Sequence, residues 1–386
     1  MVAAVRKGES QRAVARRYGF SLSTVQRWVT RAEGRRLDRV DWSDRPRGPR
    51  QSPTRTAREV ENLILEVRRA LKEQSDLGEF GAAAIHDELV ARAVPEVPGV
   101  RTIGRILDRR GVLDGRQRVR RKSPPVGWYL PPVAQRAAEL DQVDTVEGLL
   151  IRDGPHVVVL NLISLHGALC AAWPNTAIKT STVREALVEH WREVGLPGYV
   201  QFDNATIFHG PHGYPDTIGS VTRMCLSLGI VPVFVPPRER GFQAAIESFN
   251  GLWQAKVWAR FEHESLPALQ AQSDKYVAAH RRRTTARREA APERRPFPDD
   301  WKLDLRARPK GTIIYLRRTT DEGDVSVLGH TFPVDPMWPH RLVRCELRLD
   351  EHDIHFHALR RRAPDQQPLL SKAAYILPQH RHALEQ

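Results

Sequence analysis

Cysteine is scarce in this chain. Among 386 residues only Cys170, Cys225 and Cys345 occur, far apart and with no CxxC pair. That spacing excludes a disulfide framework and a cysteine-based structural zinc site, and it fits a reducing cytoplasm. Long apolar runs are missing too. No stretch reaches the roughly 18 apolar residues of a membrane span, and the opening MVAAVRKGES lacks the apolar core of a signal peptide. A soluble intracellular protein is expected. Negative charge is in short supply: Asp and Glu number 46 against 60 Lys and Arg, a net charge of +14. Such a surplus suits a polyanionic partner, with nucleic acid ahead of a ribosomal or membrane surface. The length, with 41% hydrophobic residues, allows two or more domains.

What is present divides by composition. In ESQRAVARRYGFSLSTVQRWVTRAEG, apolar residues at Val14, Ala15 and Tyr18 precede Gly19, and Leu22, Val25, Trp28 and Val29 follow at helical spacing. Two short helices around a tight turn are predicted, the second capped by Ser21 or Ser23. Ser23, Thr24, Gln26, Arg27 and Arg31 then lie on its outer side, within reach of base edges or phosphates. The segment resembles the N-terminal helix-turn-helix DNA-binding domain of bacterial transposases, whose usual first helix would begin upstream of Met1.

Residues 36–56 form a basic, Pro-rich linker, and 57–115 hold three amphipathic helices, the last bearing Arg105 and Arg109. This block is similar to a second helix-turn-helix domain of insertion-sequence transposases. RQRVRRK opens another basic and Pro-rich linker, 116–132, readable as a solvated or a DNA-tracking connector. Residues 133–280 read as three strands, then helix, strand, helix, strand and a long helix. That order is the one expected of an α/β ribonuclease H-like core with a mixed five-stranded sheet. Seven Arg within 281–295 mark a linker over 281–300. Evenly spaced short strands over 301–362 predict a small β-barrel, with 363–386 left as a tail.

Three carboxylates stand at special places. Asp144 lies within a core strand, where a carboxylate is costly unless paired or metal-bound. Asp203 ends the fourth strand, and Glu247 lies in the last helix of the block. As ordinary residues they would be a strand charge, a turn former and a helix surface. In a ribonuclease H-like sheet the first and fourth strands are neighbours and the final helix crosses their ends, so the three can converge. Divalent cations would then offset their mutual repulsion.

Asp141-Gln142-Val143-Asp144, Asp203-Asn204-Ala205 with Phe208, and Glu247 with Asn250, Gly251, Lys256 and Arg260 follow in order. The block thereby resembles the catalytic core of insertion-sequence transposases of the retroviral integrase superfamily. Three departures stand out. Ala205 replaces a usual Gly. The Asp203–Glu247 separation of 44 positions is longer than in the family, with HGPHGYPDTIG (209–219) as the surplus. Asp141 replaces the first motif's aromatic; strand alternation turns it away from Asp144, which is favoured as the ligand.

The resemblance implies a DNA strand transferase that binds element ends, cleaves DNA and joins 3′-hydroxyls to target DNA. Asp144, Asp203 and Glu247 would hold two Mg²⁺ ions, with Mn²⁺ able to substitute. Lys256 and Arg260 are either donor-DNA phosphate contacts or a solvated helix edge. His209 and His212 form an HxxH pair read as loop histidines rather than a zinc site. DNA and a homo-oligomer assembled on it are the implied partners, in a nucleoid-associated cytoplasmic protein. A catalytically silent DNA-binding regulator retaining the fold is the competing class, and a nuclease for RNA–DNA hybrids a third.

Overall fold

Helix signals at the N-terminus are local and strong, and the structure follows them. The computed structural model describes residues 1–43, 56–75, 78–113, 126–211, 213–239, 241–361 and 363–378. The chain forms two compact units, 1–61 and 62–386. In the first, α1 (Val2–Arg6), α2 (Gln11–Tyr18) and α3 (Leu22–Ala32) pack around Val2, Val14, Val25 and Ala32. Ser10 and Ser21 cap α2 and α3 by accepting from Ala13 N–H and Thr24 N–H, each at 3.2 Å. Gly19 ends α2 at φ 69°, a left-handed conformation that glycine adopts without strain. A short helix, α1, precedes the two predicted ones and is too brief to leave a periodic signal.

The second unit takes in most of α4 (Arg58–Gln74), with α5 (Ala82–Ala91) and α6 (Val100–Arg109). Ile64, Val67, Ile85, Leu89, Ile103, Ile106 and Leu107 are buried, as the helical spacing predicts. Arg68 donates to Phe80 O at 2.9 Å and Val112 O at 3.0 Å, tying the block's ends together. RQRVRRK and His212 lie outside the described residues.

After α7 (Pro131–Ala134) come β1 (Leu140–Leu150), β2 (His156–Ser164) and β3 (Cys170–Asn175). Then follow α8 (Thr180–Val194), β4 (Tyr199–Phe202), α9 (Thr206–His209), α10 (Ser220–Ser227) and β5 (Val231–Phe234). Next are α11 (Ala244–Trp253), continued by a π turn at Gln254–Trp258, α12 (Leu266–Arg283) and α13 (Thr285–Glu289). β1, β2 and β3 pair antiparallel, and β4 and β5 join parallel to β1 in the order β3-β2-β1-β4-β5. That is the mixed sheet expected of an integrase-type core. Val183, Leu187 and Trp191 of α8 with Val221 and Met224 of α10 cover one face. Ile246, Phe249 and Trp253 of α11 with Leu269 and Tyr276 of α12 cover the other.

Three expectations are corrected. The strands read as a separate barrel continue the sheet: β6 (Thr312–Arg318) pairs parallel with β5. After the β7 (Asp324–Val327) and β8 (His330–Pro333) hairpin, β9 (Leu342–Arg348) and β10 (Asp353–Ala358) extend it antiparallel. Even strand spacing signals many strands but not whose edge they pair with. Here Ile313 and Tyr315 enter one core cluster while Ile314 and Leu316 enter another, so β6 is buried on both faces and caps the β5 edge. Second, the tail supplies β11 (Leu369–Ala374), paired with β10.

Third, the Arg-rich segment is no linker. Arg281 donates to Cys170 O at 2.9 Å, Arg287 to Leu165 O and His166 O at 2.7 Å, and Arg295 to Gly229 O at 2.8 Å. Guanidinium groups there satisfy carbonyls where strands and helices end.

Candidate active site

Register places two of the three carboxylates side by side. β1 and β4 run parallel with Gln142 opposite Gln201, two residues before Asp144 and Asp203, and the Asp203 charge reaches the Asp144 carboxyl. Asp203 Oδ1 accepts Ala205 N–H at 2.9 Å, an Asx turn that launches α9. Ala205 itself has φ −60°, so the missing glycine costs nothing here. Beside Asp144, Gly148 at φ 77° marks a bulge in β1 between Val146 and Leu149. Such irregularities re-aim side chains next to functional sites.

A buried amide cluster brings in α11. Gln142 Nε2 donates to Gln201 Oε1 at 2.6 Å and to Phe242 O at 2.9 Å, while its Oε1 accepts Ile246 N–H at 3.1 Å. Tyr129 O–H donates to Gln201 Oε1 at 2.9 Å, and burial pushes this phenol's pKa up. Pinned at its first turn, α11 presents Glu247 to solvent and Asn250, one turn on, to the strands. Asn250 Nδ2 donates to Asp144 Oδ2 at 2.9 Å, and Asn161 Nδ2, across the β1–β2 ladder from Asp144, donates to Asn250 Oδ1 at 2.8 Å. Asn250, named in the sequence only as part of the third motif, holds Asp144. Gln201 and Asn161 were missed, and their signal was polar side chains inside apolar strands; Gln142 was seen only as a motif residue, and Tyr129, in the turn before α7, was missed as well.

Electrostatics bind the three carboxylates together. Burial raises the Asp144 carboxyl to about 6, and the charges of Asp203 and Glu247 add to that rise against hydrogen bonds from Thr145 N–H and Asn250. Asp203 is raised by burial as well, with Glu147 adding and the Ala205 N–H opposing. Among the described residues no three His, Cys, Asp or Glu side chains are grouped so as to hold a metal ion as they stand.

Asp141, three residues earlier, faces the opposite side. Fully buried, it accepts Trp191 Nε1–H at 3.0 Å and pairs with Arg294. It is a structural ion pair under α8.

The residues expected at DNA divide in two. Ser23, Gln26 and Arg27 are exposed along α3, and Thr24 is half-buried beside its cap. Arg31 is folded back: it stacks on Trp28 at 4.9 Å and donates to Ser43 O and Asp41. Arg105 and Arg109 are exposed on α6. Lys256 and Arg260 are engaged, Lys256 by Gly78 O at 3.0 Å and Arg260 by the carbonyls of Glu73 and Ser75. His209 is a buried core residue packed edge-on against Phe234 at 5.0 Å.

Residues 1–40 match the family of homeodomain-like domains, so the first unit carries a homeodomain-like helix-turn-helix. Among solved structures, the chain is similar to the catalytic core domain of BIV integrase at 15% identity and TM-score 0.29, over 36% of this chain and 81% of that one. It is similar to the HTLV-2 integrase catalytic core domain, solved with magnesium, at 12% and 0.27, over 36% and 82%. The third is a chain of the simian T-cell lymphotropic virus intasome in complex with PP2A regulatory subunit B56 gamma, at 13% and 0.31, over 69% and 88%. No helix among the described residues is long and apolar enough to cross a membrane.

Proposed function

We propose that the chain is a DNA transposase or integrase-type strand transferase that binds element ends, cuts DNA and joins 3′-hydroxyls to target DNA. One observation carries the reading: Asp144, Asp203 and Glu247 share one end of the β1–β4 pair, and the last two raise the carboxyl of the first. Asp144, Asp203 and Glu247 are the residues that would hold Mg²⁺ or Mn²⁺. All are hard oxygen donors, and the Asp144 carboxyl is raised to about 6 by burial first, with the charges of Asp203 and Glu247 adding to it, a negative surplus that a divalent cation offsets. When bound, a pair of such ions activates the attacking oxygen and stabilises the leaving one.

The chain's own residues position and steer. Asn250, anchored by Asn161, orients the Asp144 carboxylate, and Gln142 keeps the first turn of α11 against the sheet. Ser23, Thr24, Gln26 and Arg27 read or position the element end, with Arg31 bracing the fold behind them. Arg105 and Arg109 add phosphate contacts. Lys256 and Arg260 hold donor-DNA phosphates in exchange for the carbonyls of Glu73, Ser75 and Gly78. Two ends need two such sites, which calls for a homo-oligomer on DNA.

The test is in vitro strand transfer with flanking ends and Mg²⁺ or Mn²⁺, comparing wild type with Asp203→Asn. Joining by wild type and none by the variant, with end binding retained, supports the assignment; equal joining by both refutes it. A DNA-binding regulator without catalysis is favoured by one observation, the absence of a ready-grouped metal site among the described residues. End binding without joining by wild type would select it.

A further inference from the structure

β6 brings an arginine to the loop that follows β4. β4, β5 and β6 are successive parallel strands, and Phe202, Phe234 and Tyr315 stand in one row across them. Asp203 follows this row by one residue after β4 and Arg317 by two on β6, both at the carboxyl end of the sheet. Arg318, the next residue along, pairs instead with Glu239.

The Arg317 guanidinium is spread across the ends of these strands and the β7–β8 hairpin. Its Nη2 donates to Asn204 Oδ1 at 3.1 Å, its Nη1 to Leu316 O at 2.9 Å and Val235 O at 3.4 Å, and its Nε to Ser326 O of β7 at 3.2 Å. It also lies over the Tyr315 ring, 5.0 Å from the centroid. Asn204 closes the arrangement, because its Nδ2 donates to the same Val235 O at 2.7 Å. Arg317 is half-buried, its acceptors are all neutral, and among the described residues no carboxylate pairs with it. Covering a cation with neutral oxygens costs stability, and a lysine's point charge could not serve all of these acceptors at once. What the fork holds is the turn after β4. Asp203 Oδ1 already accepts the Ala205 N–H of that turn at 2.9 Å, so fixing Asn204 between Arg317 and Val235 fixes the backbone from which the Asp203 carboxylate projects.

We propose that Arg317 is a positioning residue for the candidate active site: acting through Asn204, it sets the place and tilt of the Asp203 carboxylate for a divalent cation. Its role needs no contact with DNA or metal. The inference deepens the strand-transferase reading and rests on it for Asp203 as a ligand. It also gives β6 a task that a separate C-terminal barrel could not perform, since only a strand paired with β5 delivers Arg317 to Val235 and Asn204. Removing a group that orients a metal-binding carboxylate from behind typically costs about 10–100-fold in metal affinity.

The test measures Mn²⁺ binding to the full chain without DNA, following free Mn²⁺ by electron paramagnetic resonance, with thermal unfolding recorded alongside. Arg317→Gln and Asn204→Ala should each weaken Mn²⁺ binding about 10-fold, and the double variant no further, because both break one contact. Joining by these variants should recover at saturating Mn²⁺. Arg318→Gln, which removes the same charge one residue away, should bind Mn²⁺ as wild type does. A merely structural Arg317 would lower the unfolding temperature and leave the affinity of the folded protein unchanged, which overturns the proposal. Should Arg317→Gln fail to fold, Asn204→Ala decides, and wild-type affinity there overturns it equally. Asp203→Asn separates the two levels: if it loses Mn²⁺ while Arg317→Gln does not, Arg317 alone is struck out. If Asp203→Asn binds as wild type does, the ligand reading falls and the proposal with it.

Discussion

β1 carries two aspartates three residues apart, and its two faces treat them in opposite ways. Asp141 is sealed under α8 with Arg294 and the Trp191 indole as partners. Asp144 sits on the α11 face, half-buried, with only amide donors beside it and two further carboxylates in electrostatic range. One carboxylate has its counter-charge built into the fold. The other is left with an excess of negative charge, and that imbalance separates a structural acid from a candidate ligand.

The comparison breaks most sharply in activity. Asp144→Asn should cut strand transfer by about 10³-fold, roughly 4 kcal/mol of barrier, without lowering the melting temperature. Asp141→Asn should retain joining per folded molecule, measured after titrating active protein. Its effect belongs to stability: leaving the part-buried Arg294 without its counter-charge should cost about 2–3 kcal/mol in urea unfolding. Equal behaviour of the two variants in both assays would dissolve the distinction.

A pH series sharpens it further. With its carboxyl raised to about 6 from 3.8, folded Asp144 keeps its proton to higher pH than the unfolded chain does. The stability so gained is complete below pH 3.8 and is lost as pH rises through about 6. In metal-free buffer, Asp144→Asn should therefore gain on wild type between pH 4 and 7, by up to about 3 kcal/mol. A constant difference across that range would contradict the shift.

The smallest effects concern support. Asn250→Ala frees the Asp144 carboxylate and should lower joining about 10-fold, with the loss read at saturating DNA. In the first unit, Arg27→Ala should weaken end binding by about 1 kcal/mol, whereas Arg31→Ala should act mainly by lowering that unit's melting temperature.

Much of the core was legible because its signals are local. Strand alternation marked β1 to β5 nearly to their ends, and the helical period marked α3 to α6, α8 and α11. Alternation alone turned Asp141 and Asp144 apart. Asn250 was visible but its partner was not, since a hydrogen bond to a residue 106 positions away leaves no trace in spacing. Gln142 and Gln201 looked like ordinary strand polars until the parallel register put them in contact.

Arginine shows the limit most plainly. The cluster over 281–295 reads as a solvated connector, yet its guanidinium groups close carbonyls across the core. Arg318, Arg341, Arg360 and Arg361, scattered in sequence, line one pocket. Charge density along a chain reports neither.

By itself the sequence determined β1 to β5 and most of the helices, which of their faces are apolar, and which three carboxylates stand in or beside a core strand or helix. Those follow from short-range sterics and the periodicity of burial. Only the tertiary structure decided that β6 pairs with β5, that the last strands widen the core sheet, and that Arg294 neutralises one aspartate and not the other. Pairing partners and counter-charges are set by long-range register, where the energy of closing an open sheet edge on two apolar faces outweighs any local preference.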